Sequence, residues 1–228
     1  MRRSLVIVTF VVSLVFSAVG QERVEAILVD EFGNLPCADN LARLDHFYVE
    51  LSNNPGSTGF VTIASSPEGR RDSVSRIQMI ENYTRIRRFD INRLKIVRSS
   101  TETETRIRFW RLPPGSPEPL VEIDQSYEIP PTIRKPFIFG AEELVYPYPE
   151  CAENSVDIFG KFLNANPRSR ANLVFRDVSS RVARKASDIV VSELVKKHGI
   201  ARDRIRVFIV KPKKPAGQEP ITELWYLP

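Results

Sequence analysis

The run Cys37-Ala38-Asp39-Asn40 returns as Cys151-Ala152-Glu153-Asn154, and the residues downstream of each run keep one order. Asn54-Pro55 is answered by Asn166-Pro167, and Gly59-Phe60-Val61-Thr62-Ile63 by Ala171-Asn172-Leu173-Val174-Phe175. Further on, Arg88-Phe89-Asp90-Ile91-Asn92-Arg93-Leu94 parallels Gly199-Ile200-Ala201-Arg202-Asp203-Arg204-Ile205. Phe109-Trp110-Arg111-Leu112-Pro113 matches Leu224-Trp225-Tyr226-Leu227-Pro228, so both tryptophans of the chain fall at one equivalent position. Such self-similarity means that one structural unit is used twice, and any fold assigned to one copy must serve the other.

Between the copies runs Pro113-Pro114-Gly115-Ser116-Pro117-Glu118-Pro119, followed by Pro130-Pro131 and Pro136. Proline at this density removes backbone donors and breaks ladders and helices, so residues 114–134 read as a linker, with Leu120 to Ile123 alternating like a short strand. In the first copy, Val24 to Val29, Phe60 to Ala64, Leu94 to Val97 and Arg106 to Leu112 suit strands. Leu41, Leu44, Tyr48 and Leu51 recur at helical spacing behind an Asp39 cap, and Val74, Ile77, Ile80 and Tyr83 mark a second helix starting at Asp72 or Ser73. The second copy predicts strands at Glu143 to Tyr146, Asn172 to Phe175, Ile205 to Val210 and Thr222 to Tyr226. Its helices are expected over Ala152 to Leu163 and Ser180 to Lys197, the latter with Val182, Ala186, Ile189, Val190 and Leu194 inward. The fold class is therefore α/β of the α+β kind: two tandem β-α-β-α-β-β units, 21–113 and 135–228, with helices on one face of a mixed sheet.

Arg2-Arg3, the uncharged run Leu5 to Phe16 and the small residues Ala18 and Gly20 have the pattern of a secretory signal cleaved after Gly20. The apolar run is shorter than the ~20 residues a spanning helix needs, so the expected product is exported, periplasmic or secreted, without a membrane anchor. The formal charge is +5, and losing Arg2 and Arg3 leaves +3, a modest excess that argues against a nucleic-acid partner. Two cysteines, Cys37 and Cys151, in a chain bound for an oxidising compartment permit one bridge; the other reading is two small buried thiols at helix starts.

Arg76, Ile77, Ile80 and Tyr83, then Phe89-Asp90 and Arg93-Leu94 in copy one, and Leu194-Val195, His198-Gly199-Ile200 and Arg204-Ile205 in copy two, form a family-like pattern. The unit resembles the OmpA-like carboxy-terminal domain, an envelope module that binds peptidoglycan. The resemblance implies a site in which an Asp and an Arg grip the amine and carboxylate of the peptide's diaminopimelate, through charge-assisted bonds. Copy one has Arg76 at the Arg position but no Asp ending its second strand, Asp72 coming later. Copy two has Asp177 near the Asp position and Ala186 at the Arg position, with Arg184 and Lys185 just before it.

The loop Gly69-Arg70-Arg71 entering a helix offers free N–H groups to an anion, and Arg181, Arg184 and Lys185 form the matching cluster of copy two; solvated helix faces are the plainer reading of both. The expected ligand-binding set is thus Arg70, Arg71, Asp72, Arg76, Asp177, Arg181, Arg184 and Lys185. His46 and His198 are the only histidines, and no nucleophile elbow, phosphate loop or zinc spacing is present. No cofactor or metal is expected. These readings converge on a non-catalytic envelope module contacting peptidoglycan or another envelope protein, or alternatively on an assembly protein that pairs through its sheet edges.

Overall fold

A computed structural model describes residues 24–143, 154–176, 179–210 and 221–228. The first unit comprises β1 (Ile27–Phe32), α1 (Cys37–Asn53), β2 (Thr58–Ala64), α2 (Arg70–Ile86), β3 (Leu94–Ser99) and β4 (Arg106–Leu112). The second comprises β5 (Phe137–Glu143), α3 (Ser155–Ala165), β6 (Arg170–Arg176), α4 (Ser180–Ser192) running into a π turn at Glu193–Lys197, β7 (Ile205–Val210) and β8 (Ile221–Leu227). Both sheets have one topology, β1-β4-β2-β3 and β5-β8-β6-β7, in which only the β2/β3 and β6/β7 pairs are parallel. The α+β class and the two-unit plan read from the repeat are thus borne out. No described helix is long and apolar enough to cross a membrane.

The duplication extends to register. Trp110 lies opposite Phe60 and Leu28, and Trp225 opposite Asn172 and Ile138. The first strand of each unit carries a bulge at the same place, between Leu28 and Asp30 and between Ile138 and Gly140, where one extra residue re-aims the chain. Each unit also ends its first helix in one way. Arg93 Nη2 donates to the carbonyls of Leu51 (2.8 Å), Asn54 (3.2 Å) and Ser57 (2.8 Å). Arg204 Nη2 donates to Leu163 (2.8 Å) and Asn166 (2.9 Å), and its Nε to Ser169 (2.8 Å). A helix C-terminus leaves carbonyls without intrahelical partners, and a guanidinium fork answers several at once.

One sheet face of each unit packs on its helices. Val61, Ile63, Ile107 and Phe109 meet Leu44, Phe47, Leu51 and Ile80 in the first; Leu173, Phe175 and Leu224 meet Phe159, Phe162 and Leu194 in the second. Three expectations shift. The first described strand of copy two is Phe137–Glu143, where Phe137-Ile138-Phe139 pairs with β8 directly after Pro136; of the expected strand Glu143 to Tyr146, residues 144–146 lie outside the described residues. Leu120 to Ile123 forms no strand; the segment touches the sheet through a backbone bond from Asp124 N–H to Arg98 O, 2.8 Å. On α4, Val182 is 50% and Ile189 60% exposed, while Ala183 and Ser187 are buried with Leu194. Ala186, Val190 and Leu194 face the second core as expected, and of the expected inward residues only Val182 and Ile189 turn outward.

The stretch between the units is packed rather than loose. Tyr127 lies under the Arg98 guanidinium, 5.2 Å from ring centroid, and edge-on to Phe162 of the second unit at 5.5 Å. Asn166 accepts from Ile129 N–H and donates to Tyr127 O, each at 3.0 Å. Val74 of α2 joins the core of the second unit, and the Arg71 guanidinium sits 5.6 Å from the Phe139 ring centroid.

Candidate functional site

The expected binding residues divide by what they touch. Arg70 lies at the start of α2 and turns toward the connecting segment: its Nε and Nη2 donate to Asp124 Oδ2 at 3.0 and 2.9 Å, and its Nη1 to Glu128 O. Arg71 pairs with Asp72 at 2.9 Å besides facing Phe139. Arg76 reaches back to the loop after β1, donating to Asn34 Oδ1 and to Leu35 O at 3.1 Å. These four residues are neighbours on one helix: Arg70 holds the connecting segment and Arg76 the β1–α1 loop, while Arg71 and Asp72 pair with each other. Arg181, Arg184 and Lys185 are exposed on α4, beside the exposed Val182 and Ile189. Asp177 lies outside the described residues. Cys37 is disulfide-bonded, and Cys151, the only other cysteine, lies outside the described residues.

Asp157, unremarked in the sequence, is the charge hub of the second unit. Its Oδ2 accepts from Lys161 at 2.8 Å, and its Oδ1 lies 2.6 Å from Lys197 Nζ and 3.3 Å from His198 Nε2. Burial alone would push this carboxyl up, and the ammonium groups of Lys161 and Lys197 outweigh it, holding it below the usual carboxylate range. Burial pushes the His198 imidazole down, against the pull of Asp157. Asp157, Glu193 and His198 bring ligand atoms within 4.8 Å of one another, a spacing that would suit a metal ion. Lys197 already bridges the two carboxylates, at 2.6 and 3.3 Å, and supplies the cation there.

The outer sheet faces, away from the helices, separate the two copies most sharply. In the first unit the central strand β2 is buried on both sides: Phe60, Thr62 and Ala64 are all buried on the outer face. Val121 of the connecting segment packs with Phe60, Val97, Leu112 and Trp110 there. Lys95 Nζ lies 5.6 Å from the Phe60 ring centroid and pairs with Glu118 at 2.6 Å. Arg106 and Arg108 finish this face through Glu31 and Glu102, at 2.6 to 3.3 Å. Arg106 draws the Glu31 carboxyl down first, and Arg108 adds to it.

In the second unit β6 is buried on one side only, leaving Asn172, Val174 and Arg176 half-exposed. Register places Arg206 where the first unit has Lys95, and Phe208 where it has Val97. Phe208 is 44% and Ile138 46% exposed, and Trp225 and Val174 complete an apolar strip beside them. Arg206 is exposed and has no carboxylate partner among the described residues. The repeat already sets Lys95 opposite Arg206, one residue past Leu94 and Ile205, but the contrast in what covers the two outer faces depends on packing that the repeat does not show.

Comparison with protein-family models finds no match, and comparison with curated proteins finds none.

Proposed function

We propose that this chain is a non-catalytic interaction module of the cell envelope, and that it binds an extended acidic segment of another protein along the outer face and β7 edge of its second sheet. The observation that carries the proposal is the contrast between the copies. The first unit holds such a segment already: Val121 covers apolar side chains, Glu118 pairs with Lys95, and Asp124 N–H bonds the edge strand. The second unit offers the equivalent strip, with Arg206 in place of Lys95 and Phe208 in place of Val97. An edge strand with free backbone groups is a template for an added chain, and side-chain pockets beside it give selectivity. A basic side chain set beside apolar ones selects a segment that carries an acid. The envelope placement rests on the signal-like residues Arg2-Arg3, Leu5 to Phe16, Ala18 and Gly20.

The test is a titration of the whole protein, as a Trp110→Phe variant so that Trp225 reports alone, with a synthetic peptide of residues 113–128. Saturable binding is expected, weakened about tenfold by Arg206→Glu and recovered when the peptide carries Glu118→Lys, as opposite charges set across an interface require. Affinity indifferent to the charge exchange would overturn the proposal. So would self-association abolished by Arg206→Glu, which would make a second copy the occupant. Retention on insoluble peptidoglycan that depends on Arg76 and not on Arg206 would also overturn it and move the function to the α2 end.

A further inference from the structure

A cleft of about 300 Å³ opens where α2, the β3 edge, the connecting segment and α3 meet. Its apolar wall includes Val74, Ile77, Ile96 and Ile123, and its polar groups are Arg98, Gln78, Glu81, Asp124, Gln125 and Lys161. Arg98 is the unusual member. It is 5% exposed, yet no carboxylate contacts it among the described residues, since its Nε and Nη2 donate to the backbone carbonyls of Asp124 and Ser126. Its Nη1 has no hydrogen-bond partner. Asp124, the nearest acid, is already engaged: Oδ2 accepts from Arg70 and Ser100, and Oδ1 from Ser126 N–H.

A buried cation without a contacting anion is costly, and burial accordingly pushes the Arg98 guanidinium down despite the attraction of Asp124. The other charges around the cleft are matched elsewhere: Lys161 is held by Asp157 at 2.8 Å, and Glu81 faces Arg85 at 3.8 Å. Gln78, which also lines the cleft, has its Oε1 buried without a partner among the described residues, and accepts from whatever donor is brought near. An unpaired donor on a cation, an unpaired acceptor and an apolar wall together specify a ligand.

We infer that this cleft binds a small organic monocarboxylate with an apolar body, the carboxylate on Arg98 Nη1 and a hydroxyl or amine of the same molecule on Gln78 Oε1. The site is independent of the outer-face strip. Because the connecting segment forms one wall, the bound acid draws that segment onto both units.

The experiment measures binding of hexanoate, 2-hydroxyhexanoate and hexanamide to the whole protein by NMR titration at matched ionic strength. Hexanoate is expected to bind at least about tenfold more tightly than hexanamide, with shifts confined to the cleft residues, because only the acid compensates the buried charge. Arg98→Gln, which abolishes the charge, removes that advantage. Gln78→Ala removes the preference for 2-hydroxyhexanoate over hexanoate. Equal affinity for hexanoate and hexanamide would overturn the inference, as would no saturable shift at cleft residues with any of the three. Should Arg98→Gln fail to fold, the ligand preference of Gln78→Ala alone decides: an unchanged preference counts against the site.

Discussion

Arg204→Ala removes a side chain that holds the end of α3, the following turn and the start of β6 together. Three carbonyl bonds are lost, to Leu163, Asn166 and Ser169 at 2.8, 2.9 and 2.8 Å, together with a longer one to Ser169 Oγ at 3.3 Å. Taking about 1 kcal/mol for each carbonyl bond, since the half-buried carbonyls regain some water, the variant loses about 3 kcal/mol. Arg204→Lys restores the charge without the planar fork and recovers about a third of that. Arg93→Ala should cost a similar amount, because its contacts to Leu51, Asn54 and Ser57 repeat the arrangement. Urea unfolding followed by far-UV circular dichroism measures both, as a lowered midpoint at unchanged slope. A loss below about 1 kcal/mol at both sites, or full recovery by lysine, would refute the claim that these arginines act as multi-carbonyl caps.

Gly160→Ala places a Cβ 2.3 Å from His198 Cγ, and the ring, pinned beside Asp157, must move; destabilisation of about 1–3 kcal/mol is expected by thermal melting. Asp124→Ala leaves Arg70, 12% exposed, without its carboxylate and should make residues 113–136 the earliest site of limited proteolysis. The folded-state value of His198 lies below its unfolded value, so the stability it contributes is complete above about pH 6.5 and is lost as pH falls toward the folded value. His198→Gln should flatten that part of the stability–pH curve. The Asp157 carboxyl is also held low, so its contribution persists above about pH 3.9 and is lost only at lower pH, a slope that His198→Gln leaves in place.

Much of the fold was legible because duplication doubles every signal. Arg106 to Leu112 and Ile205 to Val210 coincide with β4 and β7 to the residue. Features set by long-range packing were not. Phe137 to Glu143 hid behind Pro136, since only its partner β8 identifies it as a strand. On α4 the expected Ala186 and Val190 do face the core, but Ala183 and Ser187 are buried with them, and their small size matters only once the sheet lies beneath them. The basic residues around α2 were noticed, yet Arg70 and Arg76 proved to be tied to Asp124 and Leu35, partners distant in sequence. The roles of Arg98 and Arg206 could not be read from the repeat: the burial of one depends on the connecting segment, and the exposure of the other on the lack of an equivalent among the described residues.

The central claim is that the second sheet takes an extended acidic segment where the first already holds one. The most direct measurement places a spin label at the amino end of the 113–128 peptide and records paramagnetic broadening across the whole protein. The account predicts broadening along β7 and β6, strongest near Arg206 and Phe208, and none on α3 or α4. Broadening centred on the α2 start, on the helical faces, or spread evenly over the surface would contradict it.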